Sequence, residues 1–168
     1  MKTVLFILIG LIIGINAFSQ KIFVVRHAEK ASAEANMSSD VSLSEKGKQR
    51  AEGLRDLLAD EKIQLIYSTN TIRTKSTAKP LADRLTIEVR TYGPKPDSAF
   101  IASVLASGKN VLIVAHSNTI DDVVNMIVEE QIVEGDLDES QYDNLYVITV
   151  KDNKKKVEHK KYGASSTN

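Results

Sequence analysis

Cysteine is absent from the sequence. That excludes disulfides, thiolate metal sites, a cysteine nucleophile and a lipid anchor on an N-terminal cysteine. Neither sign of charge is in excess: 22 Lys and Arg balance 22 Asp and Glu, so the whole-chain charge points to no nucleic-acid partner. No internal repeat is present, and no low-complexity tract apart from lysines near the end. At 168 residues, 42% apolar and 26% charged, the chain has the size of one ordinary domain and is too apolar and too neutral for disorder.

The longest apolar run, Val4 to Ile15, falls short of the roughly 20 residues that span a bilayer. It follows Lys2 and precedes Ala17-Phe18-Ser19, which sets small residues just ahead of Gln20. A charged start, an apolar stretch and a small-x-small site make the layout of a secretory signal peptide. The expected organisation is a signal peptide over 1–19, cut after Ser19, then a single domain over 20–168 that is periplasmic or secreted. An uncleaved N-terminal segment serving as a membrane anchor is the rival reading.

Beyond Gln20, β-rich runs alternate with helical patterns, which predicts an α/β domain. Lys21 to His27 reads as a strand apolar on both faces, as does Asn110 to Ala115. Ile63 to Ser68 and Glu88 to Tyr92 read as two more strands, and Leu145 to Val150 with Lys156 to Tyr162 as an edge hairpin turning at Asp152-Asn153. Helices are expected over Ser44 to about Glu61, Thr71 to about Leu85, a stretch capped by Asp97 and ended by Gly108, and Asn118 to Glu130. Pro80 is expected to kink or interrupt the second of these near Lys79. The lysines of the last strands read as a solvated edge that resists aggregation, and His159 as exposed and unrelated to any site.

His27 and His116 both end strands, the place where open α/β sheets bind ligands. Arg26, at the end of a buried strand, needs a carboxylate of the protein or an anionic ligand to meet its charge. Arg73 falls in the first turn of the helix that follows Tyr67-Ser68-Thr69-Asn70, on the same side of the sheet. Two guanidiniums make a natural clamp for phosphate, and the N–H groups opening the helix after Ser117-Asn118-Thr119 favour an anion too. With three histidines and no cysteine, a dedicated metal centre is not expected.

Val25-Arg26-His27-Ala28-Glu29-Lys30, Leu43-Ser44-Glu45-Lys46-Gly47 with Arg50-Ala51, Tyr67-Ser68 with Arg73 and Thr77-Ala78, and Val114-Ala115-His116-Ser117-Asn118-Thr119 stand in that order. Together they resemble the motifs of the histidine phosphatase superfamily, with its phosphoglycerate mutase-like fold, and in particular its compact phosphohistidine-phosphatase-like branch. The resemblance implies a three-layer sandwich with a mainly parallel central sheet, and catalysis through a phosphorylated histidine without a cofactor. By motif, His27 is the nucleophile, Arg26 and Arg73 hold the phosphoryl group, and His116 stands beside it with Ser117 as a further phosphate ligand. In that reading His116, protonated in the transition state, adds positive charge there, while a hydrogen bond from the other ring nitrogen of His27 to a backbone carbonyl sets its tautomer. Ser44 reads as a helix cap and Gly47 as a position where a side chain would obstruct packing.

The chain departs from the family where the proton donor to the leaving group belongs. Ser117 follows His116 where one branch has Asp, and no Glu is clearly matched downstream of Arg73. Asp97 is the first candidate donor, ahead of Glu88 and Asp83, with the role of a helix cap as its competing reading. Asp121 and Asp122 read as acids complementing a helix N-terminus. No long insertion is available to cap the site, so the expected substrate is a phosphorylated small molecule or a phosphoprotein, phosphohistidine included. A non-catalytic phospholigand-binding protein of the same fold is the alternative outside enzymes.

Overall fold

A computed structural model describes residues 19–31 and 40–166. Apart from Ser19, the expected signal peptide lies outside these residues. Six strands form one sheet: β1 (Gln20–Arg26), β2 (Ile63–Thr69), β3 (Val89–Tyr92), β4 (Asn110–Ala115), β5 (Asn144–Lys151) and β6 (Lys154–Lys161). Their spatial order is β3-β2-β4-β1-β5-β6. The first four run parallel, and β5 and β6 are added antiparallel as the expected edge hairpin. Asp152 and Asn153 both take positive φ, 50° and 60°, as a two-residue hairpin turn requires.

Four helices cover the sheet: α1 (Glu45–Leu58), α2 (Ile72–Leu85), α3 (Ser98–Ala106) and α4 (Ile120–Val128). Alternation along the central strands divides the core between the two faces. Phe23 and Val25 of β1, with Leu112 and Val114 of β4, pack with Leu54 and Leu58 of α1 and Ala78 and Leu81 of α2. On the other face Ile22, Val24, Val111 and Ile113 pack with α3 and α4 through Val104, Ile120, Val123, Val124 and Ile127. Each such aliphatic side chain, once fully buried, contributes about 1.5–3 kcal/mol, and this apolar sandwich makes the central strands a rigid platform. None of the described helices is long and apolar enough to cross a membrane.

Two expectations need correction. Pro80 does not interrupt α2, which runs unbroken to Leu85. The one carbonyl it deprives belongs to Ser76, which is half-buried and within reach of water, while Leu81 and Ala82 hold the next turn in the core. The helix after His116 starts at Ile120 rather than Asn118, because residues 117–119 form a turn in which the N–H groups of Thr119 and Ile120 both bond the His116 carbonyl.

Candidate active site

The register of β1 against β4 pairs Arg26 with Ala115, so the next residues along, His27 and His116, emerge side by side at the C-terminal ends of parallel strands. The His27 N–H donates to the Ala115 carbonyl at 2.9 Å, and the two imidazole centroids lie 5.4 Å apart. β2 flanks β4 on its other side and delivers Thr69, and α2, starting immediately after, delivers Arg73. Arg26, His27, Lys30, Thr71, Arg73, Pro94, Lys95, His116, Ser117, Asn118, Thr119 and Glu139 line one cavity of about 450 Å³. The sequence-predicted His27, His116, Arg26, Arg73 and Ser117 are therefore brought together.

His27 is buried, and its Nδ1 lies 2.8 Å from the Ala28 carbonyl oxygen. A carbonyl can only accept, so Nδ1 carries the proton and Nε2 keeps its lone pair. Burial, with Arg26, His116 and Arg73 adding to it, pushes the ring's pKa down to about 2. The imidazole is neutral at any ordinary pH and retains its nucleophilic nitrogen.

His116 is oriented by the same logic. Arg73 Nη2 lies 3.4 Å from His116 Nδ1, and a guanidinium can only donate. Nε2–H therefore donates to Thr69 Oγ1 at 2.8 Å, Thr69 passes its own proton toward Thr74 Oγ1 at 3.1 Å, and Thr74 donates to the Thr69 carbonyl at 2.9 Å. Burial, then Arg73 and Arg26, lower the pKa of His116 to about 4. In the free site burial, and after it the two nearby guanidiniums, keep His116 neutral, and an incoming anion favours the charged form expected for the transition state.

Arg26 is 1% exposed, a charge that would cost several kcal/mol to bury alone. Its Nη1 donates to the carbonyls of Asp138 (2.8 Å), Glu139 (3.2 Å) and Gln141 (3.3 Å), and its Nη2 to Glu139 Oε2 (2.9 Å). The guanidinium also sits 4.1 Å from the Tyr142 ring centroid. Its Nε–H is buried with no acceptor among the described residues.

The loop after His27 is held from below. Gly47 allows α1 to touch it, since a Cβ there would stand 2.3 Å from the Glu29 carbonyl oxygen. Ser44 caps α1, accepting from the Gly47 N–H at 3.1 Å, as its sequence position suggests. Arg50 grips the Glu29 carboxylate with two hydrogen bonds of 2.9 and 2.8 Å while also donating to the carbonyls of Tyr162 and Ala164. Ala28 is fully buried, and its N–H donates to Thr77 Oγ1, which ties this loop to α2.

Asp97 takes the role of helix cap, the competing reading of its position. Its carboxylate accepts from the Phe100 N–H at 2.8 Å as the N-cap of α3, and it does not line the cavity. Asp83 pairs with Lys79 on the exposed side of α2, and Glu88 is exposed beside β3. His159 stacks on Tyr146 at 4.6 Å on the far hairpin, apart from the site. Sequence reasoning missed Glu139, Lys30 as a cavity residue, and Thr69 as the partner of His116. Arg26's need for a counter-charge signalled that an acid must exist, but nothing local marked which one. Among the described residues no cluster of three or more His, Asp or Glu could hold a metal.

Residues 22–92 match the model of the histidine phosphatase superfamily, branch 1. Among curated proteins no sequence matches. The fold is similar to that of a mycobacterial protein described as hydrolase 1, at TM-score 0.67 and 16% identity, covering 88% of this chain and 99% of that one. It is similar to mycobacterial glucosyl-3-phosphoglycerate phosphatase at TM-score 0.63 and 15% identity, covering 88% and 100% of the two chains. A third, a candidate phosphohistidine phosphatase named SixA from Agrobacterium tumefaciens, aligns at TM-score 0.60 and 20% identity over 87% and 99%.

Proposed function

We propose that this chain, a phosphatase of the histidine phosphatase superfamily, hydrolyses phosphomonoesters through a phosphohistidine on His27 and needs no metal to do so. The observation that carries the reading is the Nδ1 contact of His27 with the Ala28 carbonyl, which leaves Nε2 as a neutral, buried nucleophile among two guanidiniums. Nε2 attacks phosphorus as the bond to the leaving oxygen breaks, and water then cleaves the phosphorus–nitrogen bond. Arg26, Arg73 and the Ser117 hydroxyl face the phosphoryl oxygens, and His116, protonated as the dianion arrives, completes the charge balance. Among the described residues four cationic side chains line the cavity against one carboxylate, which suits a multiply charged anion.

The substrate is a phosphorylated small molecule or a phosphoprotein. Export follows from the pattern of Met1 to Ser19, with a mature chain starting at Gln20; the mass of the protein recovered from its cell tests the cut. For the activity, the test is hydrolysis of 4-nitrophenyl phosphate in EDTA by the unmodified chain and by His27→Ala. Loss of at least about 10³-fold in the variant is expected. Tight phosphate binding without turnover would instead make the chain a phospholigand-binding protein.

A further inference from the structure

Glu139 lies in the segment between α4 and β5, and among the described residues it is the one carboxylate lining the cavity. Its Oε2 accepts from Arg26 Nη2 at 2.9 Å and lies 3.8 Å from Lys30 Nζ; its Oε1 accepts from the Ser117 hydroxyl at 3.1 Å. The backbone beneath it is anchored by Arg26, which takes the Asp138, Glu139 and Gln141 carbonyls, and by the Leu137 N–H, which donates to Ser117 O at 2.9 Å. The side chain remains 59% exposed, so the carboxylate is fixed at its root yet open to whatever enters the cavity.

The carboxylate that offsets the Arg26 charge thereby stands at the cavity wall beside Ser117 and Lys30, exposed where a leaving group would lie. Asp40, an acid whose charge is felt by Arg73, is exposed, accepts from the Ile72 N–H at 2.6 Å and does not line the cavity. We propose that Glu139 is the proton donor to the leaving group. This rests on the phosphatase reading above.

In the free site its cations hold Glu139 ionised, its pKa lowered by Arg26, Ser117 and Lys30 against an opposing contribution from burial. A bound phosphate monoester takes over donors of Arg26 and Ser117 and sets negative charge beside the carboxylate, so Glu139 takes up a proton as substrate binds. In the first step His27 Nε2 forms a bond to phosphorus, the phosphorus–oxygen bond breaks, and the Glu139 proton passes to that oxygen, releasing an alcohol. In the second step water bonds to phosphorus, the phosphorus–nitrogen bond breaks, and Glu139 accepts the water proton. The cycle closes with inorganic phosphate and the site restored.

The test compares an alkyl phosphate with 4-nitrophenyl phosphate, using the full chain and Glu139→Gln. A nitrophenolate departs without help and an alkoxide does not. The ratio of alkyl to aryl turnover is expected to fall on the order of 100-fold in the variant, and Glu139→Asp should recover part of it. Equal losses on both esters, or tighter substrate binding with the ratio unchanged, overturn the donor role and make Glu139 a positioning or competing anion. Absence of turnover by the unmodified chain on either ester overturns the phosphatase reading as well.

Discussion

The Nδ1 of His27 stands 2.8 Å from the carbonyl oxygen of Ala28, the next residue in the chain. A histidine that spends one nitrogen on its own backbone has only Nε2 with which to react, and burial keeps that nitrogen unprotonated. Nitrogen NMR of the labelled chain is expected to show the Nδ1–H tautomer of His27 unchanged from pH 8 to pH 5. A titration of that ring near pH 6.5 contradicts the assignment.

The two site imidazoles also tie stability to pH. Their pKa values fall from 6.5 to about 2 for His27 and about 4 for His116 in the fold. Above pH 6.5 both are neutral whether folded or unfolded, and they contribute no pH dependence. Below it the unfolded chain takes up protons that the fold refuses, so stability drops as pH falls, by roughly 1.4 kcal/mol per pH unit for each ring. Urea melts between pH 6 and 4.5 should show this slope, and His116→Asn should make it shallower.

Thr69 touches no substrate in this account, yet its hydroxyl receives the Nε2–H of His116. Thr69→Val removes the acceptor at nearly constant volume. Phosphatase kcat/KM is expected to fall about tenfold, the equivalent of one lost hydrogen bond of ~1.4 kcal/mol. Thermal melting of the same variant checks that the domain still folds cooperatively; an unaltered kcat/KM would remove the orienting role.

Two glycines of α1 make an internal control. A methyl at Gly47 meets the Glu29 backbone at 2.3 Å, whereas one at Gly53 meets nothing within 4 Å. Gly47→Ala should destabilise by about 1–3 kcal/mol through overpacking. Gly53→Ala should stabilise by about 0.5–1 kcal/mol, because alanine is the better helix residue. Shifts of the same sign in chemical denaturation would mean that the contact under His27 is not tight.

The layered fold was legible because its signals are local. The unbroken apolar runs of β1 and β4 fit strands covered on both faces, and Ser44, Asp97 and Gly108 mark helix ends by their own chemistry. The site was legible where it sits on strand ends, as with Arg26, His27 and His116, and where α2 begins, as with Arg73. Glu139 was not, because it belongs to a long segment without periodicity and meets Arg26 across 113 residues of sequence. Asp97 carried two readings, because a carboxylate near a strand end can serve as cap or catalyst, and its contact with Phe100 shows it as the cap. The resting charge of His116 was unreadable for a related reason, since it depends first on a depth of burial that only the fold sets, and then on Arg73 and Arg26.

Covalent capture tests the central claim most directly. The full chain is mixed with phosphorus-labelled 4-nitrophenyl phosphate in EDTA and quenched within the first turnover. The account predicts a burst of nitrophenolate matched by label on His27 that survives base and is lost in acid, and no label in His27→Ala. Label retained by that variant, or undiminished turnover without the His27 imidazole, would contradict it.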